Sequence, residues 1–177
     1  MEFKELLEKR RSVRSYKKTE IKKEDILDII NAALLAPSWK NSETGRYYVA
    51  LSEEAIKEIY ESLPLFNKNS SKNAAYIVAT YKKGVSGSTI APNVFADDLK
   101  DAWGAYDLGL QNAYLILKAS ELGYDTLIMG LRDEKRIRDY FKIPDDEIMM
   151  PVIAIGKRDK EPKTPVRKNS EEVLKIK

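Results

Sequence analysis

Two short stretches hold the residue types that could do chemistry. The first is Arg10-Arg11-Ser12-Val13-Arg14-Ser15-Tyr16. In an extended chain the side chains alternate, so Arg10, Ser12 and Arg14 share one side. Guanidinium groups form paired hydrogen bonds to phosphate oxygens, so arginines interleaved with serines point to an anion site. A solvated basic face is the other reading. The second stretch is Pro37-Ser38-Trp39-Lys40-Asn41-Ser42. It gathers hydroxyls, a carboxamide, an ammonium and an indole, a set that suits a flat polar ligand. Taken alone, it reads equally well as a solvated loop with one Trp folded onto the core.

What the chain lacks narrows the chemistry further. There is no Cys and no His. Disulfides, thiol nucleophiles and zinc-thiolate sites are excluded, as are imidazole bases and His-based triads. An enzyme built this way would take its hard chemistry from a bound cofactor, or from carboxylates or Lys. Charged residues make up 33% of the chain, but both signs are interspersed and the net charge is only +3. That balance argues against nucleic acid or an anionic membrane as the partner. No apolar run reaches the roughly 18–20 residues needed to cross a bilayer. The N-terminus reads as a charged amphipathic helix, not a signal peptide, so a cytoplasmic protein is expected. The 177 residues fit one domain with an extended tail.

Periodicity supplies the elements that must position these residues. Phe3, Leu6 and Leu7 predict a helix over residues 2–10. Lys22 to Leu35 is amphipathic, with Ile26, Ile29, Ile30, Ala33 and Leu34 on one face, and it stops at Pro37. Arg46 to Leu51, Ala75 to Tyr81 and Met149 to Gly156 read as buried strands, and Thr126 to Met129 as a short strand. Glu53 to Ser62 and Asp133 to Phe141 read as helices, whereas Leu63 to Asn73 and the glycine-containing Lys82 to Asn93 read as loops. Asp97 to Gly123 reads as the longest helix. It is apolar nearly all round, so a partner subunit is expected to cover part of it. In isolation the charged, proline-rich stretch from Lys157 to Lys177 reads as a disordered tail. The whole is α+β, with about five helices and four strands.

Four blocks in register resemble the nitroreductase family of FMN-dependent oxidoreductases. They are Arg10-Arg11-Ser12-Val13-Arg14; Ala36-Pro37-Ser38-Trp39-Lys40-Asn41-Ser42; Asp107-Leu108-Gly109-Leu110-Gln111-Asn112 running on to Ile128-Met129-Gly130; and Pro151 to Gly156 followed by Pro165-Val166-Arg167-Lys168-Asn169-Ser170-Glu171-Glu172-Val173. The family usually continues Asn-Ser-Gln-Pro-Trp where this chain has Asn41-Ser42-Glu43-Thr44-Gly45. That departure falls on the loop shape and the substrate pocket.

The resemblance implies a central, mostly antiparallel sheet flanked by helices. It implies an intertwined homodimer joined through the long central helix. Residues 1–177 would form one nitroreductase-like domain, with 157–177 wrapping the partner subunit. It implies FMN as cofactor and NADH or NADPH as reductant. Arg10, Arg11, Ser12 and Arg14 would meet the phosphate side and the pyrimidine edge of the flavin. Pro37, Ser38 and Trp39 would line its edge, Asn41 would hydrogen-bond the ring or the ribityl chain, and Met129 and Gly130 would offer backbone N–H groups to N5 and O4. Arg167 and Lys168 would clamp the phosphate, with Asn67 and Lys72 near the ribityl chain. Trp39, Lys40, Phe66, Val94 and Phe95 would wall the substrate pocket. The implied reaction is ping-pong hydride transfer through flavin N5 to nitroaromatic, quinone or activated-alkene acceptors, with no catalytic side chain and no metal. The alternative is a flavin-binding member with a specialised or lost reductase activity, such as a carrier, a sensor or a dehalogenase-like enzyme.

Overall fold

The computed structural model describes residues 2–177. Its elements run α1 (Phe3–Lys9), β1 (Tyr16–Lys17), α2 (Lys23–Leu34), a 3-10 turn (Trp39–Asn41), β2 (Gly45–Ala50), α3 (Glu53–Glu61), α4 (Leu65–Ser71), β3 (Ala75–Lys82), α5 (Ala102–Glu121), β4 (Asp125–Met129), α6 (Glu134–Phe141), β5 (Glu147–Arg158) and a 3-10 turn (Ser170–Glu172). The strands form one sheet in the order β1-β5-β3-β2, with β4 also paired to β5. Every strand pair is antiparallel. The expected α+β architecture with a mostly antiparallel sheet is the one observed.

Both faces of the sheet are covered, which is why β3 reads as an unbroken apolar run. Ala75 and Ile77 of β3, with Ile153 and Ile155 of β5, pack under Ile26, Ile29 and Ala33 of α2 and Leu115 and Ala119 of α5. Tyr76 and Val78, with Val152 and Ala154, pack on the other face against Ala55 and Ile59 of α3 and Ile137 of α6. Register slips once: Val78 faces Val152, but Thr80 faces Met149. Pro151, which has no N–H to give, sits in the extra length of β5 there.

Three expectations are corrected. Residues 63–73 are not all loop, because α4 forms from Leu65. The long helix begins at Ala102 instead of Asp97. Lys100 takes a left-handed φ of 49°. The Asp97 carboxylate accepts from Leu99 N–H at 3.0 Å and from Trp103 Nε1–H at 3.0 and 3.1 Å, and these bonds hold a turn in place of helix. The elements also exceed the expected number by one helix and one strand, α4 and the two-residue β1.

Along α5, Leu108, Gln111, Leu115 and Ala119 face inward. A Cβ at Gly104 would collide with the Tyr81 ring, so glycine allows α5 to approach the sheet. The outward face carries Tyr106 and Tyr114, both exposed, with exposed Ile128 and Met150 nearby across a groove. No helix among the described residues is long and apolar enough to cross a membrane.

Candidate functional site

The arginine segment leaves α1 at Arg10, where the backbone turns extended. Ser12 bridges Thr126 of β4 in parallel, and Val13 N–H donates to Thr126 O at 3.0 Å. Val13 is buried, so its neighbours Ser12 and Arg14 point outward. Arg11 donates to Arg10 O at 2.8 Å and to Thr164 Oγ1 at 3.3 Å, which brings the tail back over the segment. The Arg10 pKa is lowered, by burial first and then by repulsion from Arg167 and Arg11. None of Arg10, Arg11, Arg14 or Arg167 has a carboxylate partner among the described residues. Arg132, Arg136, Arg138 and Arg158 all have one. Like charges drawn together without a counter-charge would suit an anion.

Beside it, Arg14 opens onto a cleft of about 480 Å³ formed with Phe66, Asn67, Ser70 and the strand end Leu127 to Leu131. Asn67, buried on α4, donates to Leu131 O at 3.1 Å and fixes the chain just beyond Gly130. Nothing lies within 4 Å of where a Gly130 Cβ would stand, so that side of its Cα is open to a ligand, whereas its carbonyl accepts from Arg132 Nη1 at 2.5 Å. Ile128 and Gly130 also line the second, larger groove of about 660 Å³ along α5, with Gly109, Asn112, Ala113 and Ile116. Asn112 Oδ1, buried in that wall, has no hydrogen-bond partner.

The loop after α2 is pinned from below. Asp107 is buried on α5, and its carboxylate accepts from Trp39 N–H at 3.0 Å and from Ser86 Oγ–H at 2.5 Å. Trp39 stacks on Trp103 with ring centroids 4.8 Å apart, and its Nε1–H donates to Ser88 O at 3.4 Å. Lys40, Asn41 and Glu43 all take left-handed φ values, of 47°, 55° and 47°. Non-glycine residues hold that conformation only where surrounding bonds fix it, and such strain gathers at functional loops. Ser38 Oγ accepts from Glu43 N–H at 3.1 Å, and Asn41 Nδ2 donates to Glu43 Oε1 at 2.7 Å.

The structure therefore draws Arg10, Arg11 and Arg167 together, and places Arg14, Met129 and Gly130 around one cleft with Asn67 and Phe66. Lys168 is exposed beside Arg167. Pro37, Ser38, Trp39 and Asn41 form a separate loop that does not line the Arg14 cleft. Asp107 anchors this loop from below, a role that the sequence did not disclose. Its signal was a carboxylate set among the inward-facing positions of an apolar helix.

A sequence model of the Nitroreductase family matches residues 7–157. The chain belongs to the nitroreductase family. Among relatives of this nitroreductase-family chain, an Archaeoglobus fulgidus protein provisionally named NADH dehydrogenase/NAD(P)H nitroreductase is 27% identical over 151 residues, covering 83% of this chain and 80% of its own. A solved FMN-dependent nitroreductase of Clostridium difficile R20291 is 27% identical with a TM-score of 0.74, covering 97% of this chain and 98% of its own. A provisionally named nitroreductase of Exiguobacterium sibiricum 255-15, solved in complex with FMN, shares the fold with a TM-score of 0.82 at 21% identity, covering 100% of this chain and 98% of its own. The family resemblance carried by the four sequence blocks is thereby borne out, and with it the nitroreductase fold.

Proposed function

We propose that this chain is an FMN-dependent NAD(P)H oxidoreductase acting on nitroaromatic, quinone or activated-alkene acceptors. The observation that carries the reading is the convergence of Arg10, Arg11 and Arg167 without a carboxylate, next to a cleft that ends on an open Gly130 backbone. The names of the similar proteins, FMN-dependent and NAD(P)H nitroreductases, support it.

The residues present fit FMN. A doubly charged phosphate matches unpaired guanidiniums, which bind it in forked geometry. Gly130 leaves room for a flat ring against the main chain. When bound, FMN supplies a two-electron centre that takes hydride from NAD(P)H and passes it to an acceptor in the same place. Arg10, Arg11, Arg167 and Lys168 hold the phosphate, with Ser12 beside them. Arg14 would stabilise negative charge on the pyrimidine edge of the ring. Met129 and Gly130 would present backbone groups to the ring, and Pro37, Ser38, Trp39 and Asn41 would wall its edge. A chain without His or Cys needs no side-chain nucleophile for this chemistry.

The two halves of the site join in a homodimer. A second copy laid on the outward face of α5 would cover Tyr106, Tyr114, Ile128 and Met150, and would meet the buried, partnerless Asn112 Oδ1. It would bring the Ser38–Asn41 loop of one protomer to the Arg14 cleft of its partner, with residues 157–177 lying across that partner. In this reading residues 1–177 are one domain.

The test is the purified protein. It is expected to be yellow, to bleach anaerobically on adding NADH or NADPH, to recolour with a quinone or nitroaromatic, and to sediment as a dimer. A protein that takes up no FMN sinks the reading. One that holds FMN but turns over no acceptor faster than free FMN is a flavin-binding member without reductase activity.

A further inference from the structure

The loop at Ser38–Glu43 carries a polarity that the family pattern does not have. Asn41 Nδ2 donates to Glu43 Oε1 at 2.7 Å. A carboxylate only accepts, so the carboxamide has one orientation, with its nitrogen toward Glu43 and its Oδ1 turned away. Oδ1 receives no hydrogen bond from any described residue, and Asn41 is exposed. A glutamine at position 43, as in the usual family pattern, could donate or accept, and the carboxamide could then face either way.

Glu43 is itself held from three directions. Its N–H donates to Ser38 Oγ at 3.1 Å, its carbonyl accepts from Arg46 Nη1 at 2.9 Å, and its backbone sits at a left-handed φ of 47°. Lys40 does not neutralise it, because Lys40 Nζ donates to Thr89 O at 3.4 Å. Asn41 is fixed on its other side by its own N–H, which donates to Ser38 O at 3.0 Å. The carboxamide is therefore aimed by its surroundings before any ligand arrives.

We infer that Glu43 is a positioning residue that makes Asn41 an obligate hydrogen-bond acceptor, so the ligand group meeting this loop is a donor. The inference rests on the flavin reading above. FMN offers two kinds of donor, the ring N3–H and the ribityl hydroxyls. Its ring carbonyls only accept, so they would not pair with this oxygen.

The experiment measures FMN affinity of the flavin-stripped full-length protein by quenching of flavin fluorescence, with melting curves for each variant. Glu43→Gln is expected to weaken binding about threefold to tenfold, the loss of part of one oriented hydrogen bond. Asn41→Asp sets two carboxylates face to face and weakens binding further. The double variant, Asn41→Asp with Glu43→Gln, restores the pattern. Its new carboxamide donates inward and its new carboxylate accepts outward, so it binds more tightly than Asn41→Asp alone. Relief of the facing carboxylates contributes to that rescue whatever the role of Glu43, so the analogue comparison carries the distinction. N3-methyl-FMN and ribityl-deoxy FMN analogues separate the two donors. The analogue lacking the true donor binds the natural protein more weakly and is indifferent to Glu43→Gln. If Asn41→Asp does not fold, the analogue comparison between the natural protein and Glu43→Gln decides. Equal FMN affinity in the natural protein and Glu43→Gln overturns the inference alone. Failure of the natural protein to bind FMN overturns it together with the flavin reading.

Discussion

Replacing Asp107 by alanine tests whether one buried carboxylate ties the site together. Asp107 accepts from Trp39 N–H at 3.0 Å and from the buried Ser86 hydroxyl at 2.5 Å, and no cation faces it within ion-pair distance among the described residues. Hydrogen bonds to a charged group contribute about 1.5–3 kcal/mol each, and a buried donor left unpaired costs about 1–3 kcal/mol. Against this stands the cost of burying the carboxylate without a counter-charge, which its removal relieves. The net loss expected for Asp107→Ala is about 2–4 kcal/mol. At about 2–4 °C per kcal/mol for a chain of this size, the melting temperature falls by about 5–15 °C. Both bonds end on the same oxygen, Oδ2, so Asp107→Asn with its carboxamide oxygen in that place keeps both while losing the charge, and its loss is smaller than that of Asp107→Ala. The assay is a thermal melt at fixed protein concentration, because subunit association would shift the midpoint. The tryptophan spectrum gives a second readout. The chain has two Trp, and Trp39 and Trp103 stack on each other over this anchor. Emission is expected to change in the folded variant as Trp39 loosens. A variant that melts within about 1 °C of the parent, on a scale set by one hydrogen bond, with unchanged emission refutes the argument.

Further tests address the core, the anion cluster and the tyrosines. A Cβ at Gly45 would collide with Gln111 Oε1, which is buried and accepts from Tyr47 OH, so Gly45→Ala should cost about 1–3 kcal/mol in urea unfolding. Unchanged stability would show that the sheet does not approach α5 so closely. Inorganic phosphate should raise the melting temperature of the natural protein, and Arg167→Ala or Arg10→Ala should lose that increment. Without phosphate, Arg167→Ala should be no less stable, because it relieves repulsion on Arg10. Burial pushes the Tyr76 phenol up to about 12 from its ordinary 10.0, outweighing the opposing bond from Ser71. Below pH 10 the phenol is protonated in both states. Above it the unfolded chain loses the proton while the folded chain keeps it, so stability falls between pH 10 and about 12. Tyr48 and Tyr124 are also raised to about 12, by burial and by the Glu147 and Asp25 carboxylates that their hydroxyls face. Phenolate absorbance appearing in step with unfolding is expected. Tyrosines titrating near 10 in the intact fold would contradict it.

Most of the fold was legible because apolar residues fall where the sheet and its helices need them. Ile26, Ile29 and Ala33 mark the buried face of α2, and the strand runs mark a sheet covered on both sides. Periodicity failed where polar residues carry the packing. Helix α4 buries Asn67 and Ser71, not leucines. Asn67 donates to Leu131 O, and Ser71 bonds the Tyr76 hydroxyl, so its inward face reads as loop in a hydrophobic pattern. The start of α5 was misplaced for a related reason. Asp97 and Asp101 look like the opening of a helix, but their carboxylates serve Trp103 and Gly84 across a turn.

The site divides along the same line. Arg10 to Arg14 and Pro37 to Asn41 stand out in sequence because their chemistry lies in consecutive residues. The tail residue Arg167 is far away in the chain, so it stood out only through the family resemblance, and the fold brings its charge back to Arg10. Asp107 was hidden by its company, since a carboxylate in a largely apolar helix looks like an exposed position until Trp39 and Ser86 are seen to converge on it. These two residues explain each other's placement. A cation that lowers a neighbour's pKa and a carboxylate buried without a cation are both unfavourable in the bare chain. Each becomes intelligible if the fold is built to receive something: Arg167 completes a charge that an anion neutralises, and Asp107 holds a strained loop ready at the edge of the same ligand. Unfavourable terms retained at two ends of one proposed site are stronger support for binding than either motif alone, because packing would have removed both.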